Sequence, residues 1–328
     1  MSKALPKVIA VVGPTASGKT KFALLLAKHF RGEIIVADSR QIYRGMDIGT
    51  NKSRGVWRTR RGVRRYAVNG IPYHGIDLAE PNETFTVQQW KRFAERAIRD
   101  IWKRGKIPIL EGGTGLYLSA LLDNLTIPRV PPHRKFRESL ERRIAAEGLA
   151  PLVRELLERD PESAAFLDFH NPRRVVRALE VIEFGGMRLS AQRGKGPKRY
   201  EDLRIGITIS REDLDRRIRT RAQKQLRAGL EGEVRGLTKK YGWDVPAMSG
   251  IGYAEWKPYF AGLERRENVL AKNIARNKRL ARNQRKWFRK DPRIRWITSP
   301  KSAEHLAAAF LSSREASGSR ARKTRGLR

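Results

Sequence analysis

Cysteine is absent from the 328 residues, and with it go disulfides, thiolate nucleophiles and every zinc site built on Cys ligands, Cys/His fingers included. Acidic residues are scarce: 34 Asp plus Glu stand against 70 Lys plus Arg, a formal charge of +36 at pH 7. Solubility asks for far less, so the excess points to a polyanionic partner, with a generally basic surface as the plain alternative. Long apolar runs are missing too. None approaches the roughly 20 residues that cross a bilayer, and the first, after MSKALPK, is too short and wrongly flanked for a signal peptide. The expectation is a cytoplasmic protein with no membrane partner and, since no long apolar seam is visible, a monomer. The length allows one large domain or two modest ones with a real core.

What is present is alternation. Short β-branched runs, VIAVV from Val8 to Val12, EIIVAD from Glu33 to Asp38 and IPIL from Ile107 to Leu110, alternate with helical patterns, as βα units around a parallel sheet do. Between Ser53 and Asn69 lies an Arg-dense stretch with Gly breaks, read as a solvated basic loop or hairpin, or as a surface insertion without function. From about Arg134 to Phe184 apolar residues recur at three and four spacing, predicting an inserted helical subdomain. SAQRGKGPKRY reads as a connector, and IGITI from Ile205 to Ile209 as a strand returning to the sheet. Leu214 to Leu237 and Asn268 to Phe288 are helical in period, the second covered in Lys and Arg. There are no internal repeats. The fold class is α/β: a P-loop parallel-sheet core over 1–128, a helical insertion over 129–196, the returning strand with basic C-terminal helices over 197–312, and a basic tail over 313–328 whose composition is that of disorder.

The strongest single signal is GPTASGKT, formed by Gly13, Pro14, Thr15, Ala16, Ser17, Gly18, Lys19 and Thr20, which follows one apolar strand and opens a helix. Its glycines let the backbone curl so that successive amides converge on phosphate oxygens, and the helix N-terminus adds partial positive charge. Lys19 would bridge the terminal phosphates, and the Thr20 hydroxyl would coordinate Mg2+. By itself the loop specifies a di- or triphosphate, and most chains that carry it are kinases or NTPases.

Further motifs pull away from that default. DSRQIY from Asp38 to Tyr43, then Gly45 and Ile48-Gly49-Thr50, together with GGTGLYLSAL from Gly112 to Leu121, NPRRVVRALEV from Asn171 to Val181, LDRRIRTR from Leu214, GLEGEVRGL from Gly229, SGIGY from Ser249 and QRKWFR from Gln284, follow in this order. In these motifs, over nearly the whole chain, the sequence resembles the tRNA dimethylallyltransferase family, also called tRNA isopentenyltransferases. It departs from the family pattern in the residues Asn277, Lys278, Ala281, Arg282, Asn283 and Gln284 ahead of Trp287, in Glu111 where a small apolar residue is usual, and in Gly75 where leucine is usual.

The resemblance implies transfer of a dimethylallyl group from its diphosphate to the exocyclic amine of the adenine 3′ of the anticodon, with the tRNA anticodon stem-loop and dimethylallyl diphosphate as partners and Mg2+ as cofactor. The phosphate loop and Arg221 would hold the diphosphate. Asp38 would be the general base, although a magnesium-side role remains open for it, and Thr114 and Arg217 would join it in catalysis by binding the leaving group. Arg217 and Arg221, four apart on one helix face, also fit a solvated basic surface. The family's tRNA contacts fall on Asp38, Ser39, Arg40 and Gln41; on Arg137, Arg173, Arg174, Val175, Val176 and Arg177; on Ser249, Gly250, Ile251, Gly252 and Tyr253; and on Arg282, Asn283, Gln284, Arg285, Lys286, Trp287, Phe288 and Arg289. Trp287 and Phe288 suit a stacking platform, though aromatics at helical spacing more often pack in a core. A prenyltransferase acting on a free adenine nucleotide, and a P-loop nucleotide kinase or NTP-dependent nucleic-acid-binding protein, are the alternatives; the first needs no such basic surface, and the second does not need DSRQIY and GGTGLY in this order.

Overall fold

Alternate residues of the first strand enter two different cores. In β1 (Lys7–Val12), Val8, Ala10 and Val12 pack into one apolar cluster while Ile9 and Val11 pack into another. A strand buried on both faces reads as a continuous apolar run, which is why VIAVV lacks polar alternation. The computed structural model describes residues 5–60, 62–192 and 194–313, and the basic tail lies outside them from residue 314 on.

The chain divides into two compact units, one of Met1–Leu122 with Arg199–Arg328 and one of Asp123–Lys198. The first is built on an eight-stranded sheet. Its strands are β1, β2 (Gly32–Val36), β3 (Val56–Arg60), β4 (Val63–Val68), β5 (Ile71–His74), β6 (Ile107–Gly112), β7 (Glu201–Ile207) and β8 (Ile294–Ile297). Their spatial order is β3-β4-β5-β2-β6-β1-β7-β8, parallel from β5 to β8 and antiparallel where β3, β4 and β5 meet. The helices are α1 (Lys19–His29), α2 (Val87–Lys103), α3 (Gly115–Leu122), α4 (Arg134–Glu147), α5 (Ala150–Arg159), α6 (Pro172–Gly185), α7 (Arg211–Arg227), α8 (Leu230–Tyr241), α9 (Trp256–Phe260), α10 (Arg266–Arg289) and α11 (Pro300–Ser312).

Local chemistry explains the boundaries. Thr86 and Gln89 form a capping box at the start of α2, and the buried Trp90 indole of that helix donates to Val36 O at 3.0 Å, fixing it on β2. The Arg-dense stretch after Ser53 is a hairpin, β3 and β4, and extends the main sheet at its edge. The helical stretch from Leu214 to Leu237 is two helices, because Gly229 takes φ +95° and starts α8 anew. The returning strand runs over Glu201–Ile207, earlier than its apolar core suggests, because Glu201 pairs with Lys7 at the start of β1.

The unit Asp123–Lys198 has its own core, in which Leu140, Leu152, Leu156, Val175 and Leu179 are buried between α4, α5 and α6. Among the described residues no helix is long and apolar enough to cross a membrane.

Candidate functional site

The carboxyl ends of β1, β2 and β6, the three adjacent central strands, carry GPTASGKT, DSRQ and EGGTG respectively. Open α/β sheets place their ligands at that edge. The loop after β1 folds back on itself, with Ser17 N–H donating to Pro14 O at 3.2 Å. Gly18, at φ +99°, is the N-cap of α1, a left-handed position that admits glycine with little cost.

Lys19 is buried, and its ammonium donates to Pro14 O at 2.9 Å. Burial pushes its pKa down; the Glu111 and Asp38 carboxylates oppose that shift and Arg221 adds to it. Thr20 donates its hydroxyl proton to Glu111 Oε1 at 3.1 Å, which leaves the Thr20 lone pairs for another electrophile. Glu111 is itself buried, its carboxyl pushed up by burial and pulled back by Lys19 and the Thr20 hydrogen bond. Asp38 Oδ1 accepts from Arg40 N at 2.8 Å and Gln41 N at 3.4 Å, a turn that holds the carboxylate at the end of β2. Thr114 Oγ1 accepts from Ser39 N at 3.1 Å and keeps its own proton to donate.

Two arginines of α7 complete the wall. Arg217 donates to Ser17 O at 3.1 Å, and Arg221 to Thr15 Oγ1 and Asn277 Oδ1, both at 2.8 Å. Burial pushes the Arg221 guanidinium down to about 10, against the pull of Asp38. Thr15, Lys19, Thr20, Asp38, Glu111, Arg217 and Arg221 line one cavity of about 360 Å³. Two observations fit a bound polyphosphate and a hard cation: Ser17 Oγ is buried at the loop with no hydrogen-bond partner, and the oxygens of Thr20, Asp38 and Glu111 are donors of the kind such cations take. Among the described residues, no group of three or more His, Cys, Asp or Glu side chains gathers for a metal.

The residues expected to meet RNA divide by burial. Arg40 donates to Pro246 O at 3.1 Å and Ser249 Oγ at 3.2 Å, and Gln41 to Thr50 O at 3.4 Å. Gln284 accepts from Thr15 N at 2.7 Å and donates to Gly113 O at 3.0 Å, so it ties the phosphate loop to the GGTG turn. Gly250, Gly252 and Tyr253 are buried, Ile251 half-buried and Ser249 exposed. Phe288 is a core residue, and Arg285 is half-buried, donating to Ile209 O at 3.0 Å. Arg282, Asn283, Lys286, Trp287 and Arg289 are exposed on α10.

In the other unit, Val175 and Val176 are core, and Arg137 and Arg177 both pair with the fully buried Glu180, at 2.7 and 2.5 Å. Arg173 and Arg174 are exposed. The side chains of Val175, Val176, Tyr253 and Phe288 therefore face protein, and any contact made by those segments falls to their backbone and neighbours.

Sequence reasoning gave no role to two acids that organise the site. Glu111 was visible only as a departure from pattern. Glu233 of α8 accepts from the backbone amides of Asp47, Ile48 and Gly49 at 2.7–3.0 Å and from the Tyr253 hydroxyl at 2.7 Å. Its clue was its place inside GLEGEVRGL, next to nothing that reveals a partner 184 residues away.

Strand, glycine loop, buried lysine and helix N-terminus together define a P-loop protein. The sequence pattern of the IPP transferase family matches residues 41–291. A tRNA dimethylallyltransferase of Roseiflexus sp. (strain RS-1) is 42% identical over 91% of this chain and 94% of its own, and one of Geobacillus kaustophilus (strain HTA426) is 38% identical over 95% and 96%. The crystal structure of the tRNA isopentenylpyrophosphate transferase of Bacillus halodurans superposes with TM-score 0.66 at 33% identity, covering 93% of this chain and 96% of that one. The fold is shared with a eukaryotic dimethylallyltransferase acting on tRNA, TM-score 0.70 at 24% identity, over 93% of this chain and 77% of that one. The chain belongs to the tRNA dimethylallyltransferase (IPP transferase) family and is a prenyltransferase.

Proposed function

We propose that this enzyme transfers a dimethylallyl group from dimethylallyl diphosphate to the exocyclic amine of the adenine 3′ of the anticodon in tRNA, with Asp38 as general base. The observation that carries the reading is the meeting of Asp38 with Lys19, Thr20, Arg217 and Arg221 in one cavity. Loop amides, Lys19, Arg217 and Arg221 bind the diphosphate. As the carbon–oxygen bond breaks, the negative charge that grows on the leaving oxygen is stabilised by these fixed donors and by the Thr114 hydroxyl. The adenine nitrogen bonds to the prenyl carbon and its proton passes to Asp38, whose carboxylate is held in place by the amides of Arg40 and Gln41.

Mg2+ fits the oxygen donors here, and when bound it neutralises charge on the diphosphate. Thr20 would ligate it directly. Glu111, by taking the Thr20 proton in a hydrogen bond, turns the Thr20 lone pairs outward and is its positioning residue. The exposed basic face of α10 with Trp287, and Arg173 and Arg174 on α6, supply backbone contacts and a stacking surface for an RNA whose base leaves its stack.

The test is transfer of labelled dimethylallyl from its diphosphate to an anticodon stem-loop, beside ATP and GTP hydrolysis. Label on the RNA with both nucleotides intact is expected. Asp38→Asn should lower kcat by about 10²- to 10⁴-fold with RNA affinity retained. RNA-stimulated nucleotide hydrolysis without transfer would replace the reading with an NTPase.

A further inference from the structure

Among the described residues, the β3–β4 hairpin is a strongly charged feature that the site above leaves unused. From Ser53 to Ile76 the sequence holds six arginines, Arg54, Arg58, Arg60, Arg61, Arg64 and Arg65, and not one Asp or Glu. In the antiparallel register Arg58 stands directly opposite Arg65. Like charges facing each other across strands destabilise a hairpin. Asp100, a carboxylate near them, is 4.0 Å from Arg65 and already pairs with Arg104 at 2.8 Å. On the other face Arg64 lies over the Trp57 ring at 4.7 Å, and Trp57 is 40% exposed. Val56, Trp57, Arg58 and Arg64 are all exposed.

The hairpin is connected to the phosphate site by charge. Arg54 lines a second cavity of about 560 Å³ with Arg216, Lys224, Arg217 and Arg221 against a single carboxylate, Asp47, and Arg217 and Arg221 also line the phosphate cavity. A basic track thus runs from the diphosphate position to the base of the hairpin. Five strand spacings separate β1 from β3, roughly 24 Å at ~4.8 Å each. A base reacting at the phosphate loop belongs to an RNA whose stem extends at least that far.

We infer that the β3–β4 hairpin is a second RNA-binding surface that grips the phosphodiester backbone of the tRNA body away from the reacting base, with Arg58 and Arg65 as phosphate contacts and Arg64 backed by Trp57. The bound backbone relieves the repulsion that the facing arginines otherwise impose. This rests on the reading of the chain as a tRNA-modifying enzyme, but its test does not depend on transfer.

Binding of full-length tRNA to the intact protein and to Arg58→Ser/Arg65→Ser is measured by fluorescence anisotropy across a KCl series, with the thermal midpoint and the KM for dimethylallyl diphosphate as controls. The double variant is expected to bind about ten-fold more weakly, with the slope of log affinity against log salt shallower by about 1.5, near the loss of two phosphate contacts. Arg58→Lys/Arg65→Lys, which keeps the charge, is expected to restore most of the slope. Affinity within two-fold of the parent and an unchanged slope, in a variant with the parent's thermal midpoint, would overturn the inference. A failure of transfer with this RNA-binding result intact would instead count against the proposed reaction.

Discussion

Arginines on α7 and arginines of the helical unit are held in opposite ways. Arg217 and Arg221 give their hydrogen bonds to a carbonyl, a hydroxyl and an amide, neutral groups that fix the guanidinium without cancelling its charge. Arg137 and Arg177 both pair with one fully buried carboxylate, Glu180, which also accepts from His133 N at 2.7 Å, and Arg177 donates besides to Val130 O at 2.8 Å. The first arrangement leaves positive charge standing in a cavity, poised for an anion. The second spends the charge on structure. Arginine count, the most conspicuous property of this chain, therefore says little about where ligands bind; the identity of the acceptor says a great deal.

The sharpest way to break the comparison is at Arg221. Burial has already pushed its pKa down to about 10, so the folded chain carries its charge at a cost, and an apolar side chain of similar length relieves that cost. Arg221→Met should lower the transfer rate by about 10²- to 10³-fold, the scale of losing one fixed donor to a developing anion. Its thermal midpoint should stay level or rise. A variant that instead loses stability and keeps its rate would place Arg221 with Arg137 and Arg177 as a structural group.

Glu180 is the counterpart. Burial alone would raise its carboxyl, yet Arg137, the His133 amide and Arg177 hold it below the usual value of 4.5. A depressed carboxylate contributes stability that is present above its unfolded pKa and is lost as pH falls through the folded one. The helical unit should therefore loosen on acidification below about pH 4.5. Glu180→Gln should cost about 3 kcal/mol in denaturant unfolding, because two guanidinium groups lose their carboxylate, with the KM for dimethylallyl diphosphate unchanged. An acid transition that Glu180→Gln leaves in place would assign it to other carboxylates.

What was legible in the sequence follows the same division between local and distant. The β1–loop–α1 unit was readable because one continuous stretch carries the apolar run, the glycines, the lysine and the amphipathic helix. β5 and β8 were not: each has four residues, and β8 buries only Ile294 and Ile297 around exposed Arg295 and Trp296, too little pattern to register. The break at Gly229 was marked by its glycine, yet the periodicity on either side masked it. Trp287 and Phe288 carried one expectation between them, and the helix turns the second into the core and leaves the first 39% exposed, a difference of about 100° in azimuth that adjacent residues always have. Glu111, Glu180 and Glu233 were silent as organisers because their partners come from other segments of chain, and a carboxylate's role is set by what folding brings beside it.

The smallest effect should come from arginines that neither arrangement captures. Arg173 and Arg174 sit exposed in the first turn of α6, one and two residues after Pro172. Of the four arginines of the helical unit expected to meet RNA, these two keep their guanidinium groups exposed, whereas Arg137 and Arg177 are occupied by Glu180. Arg173→Ser/Arg174→Ser should leave the denaturation midpoint within about 0.5 kcal/mol of the parent, as exposed substitutions do. It should also flatten the salt dependence of tRNA binding by about 1.5 and weaken affinity a few-fold at ~150 mM salt. Equal losses of affinity from Arg137→Ser would erase the distinction, for then a guanidinium already paired with a carboxylate would be as available to phosphate as one that is not.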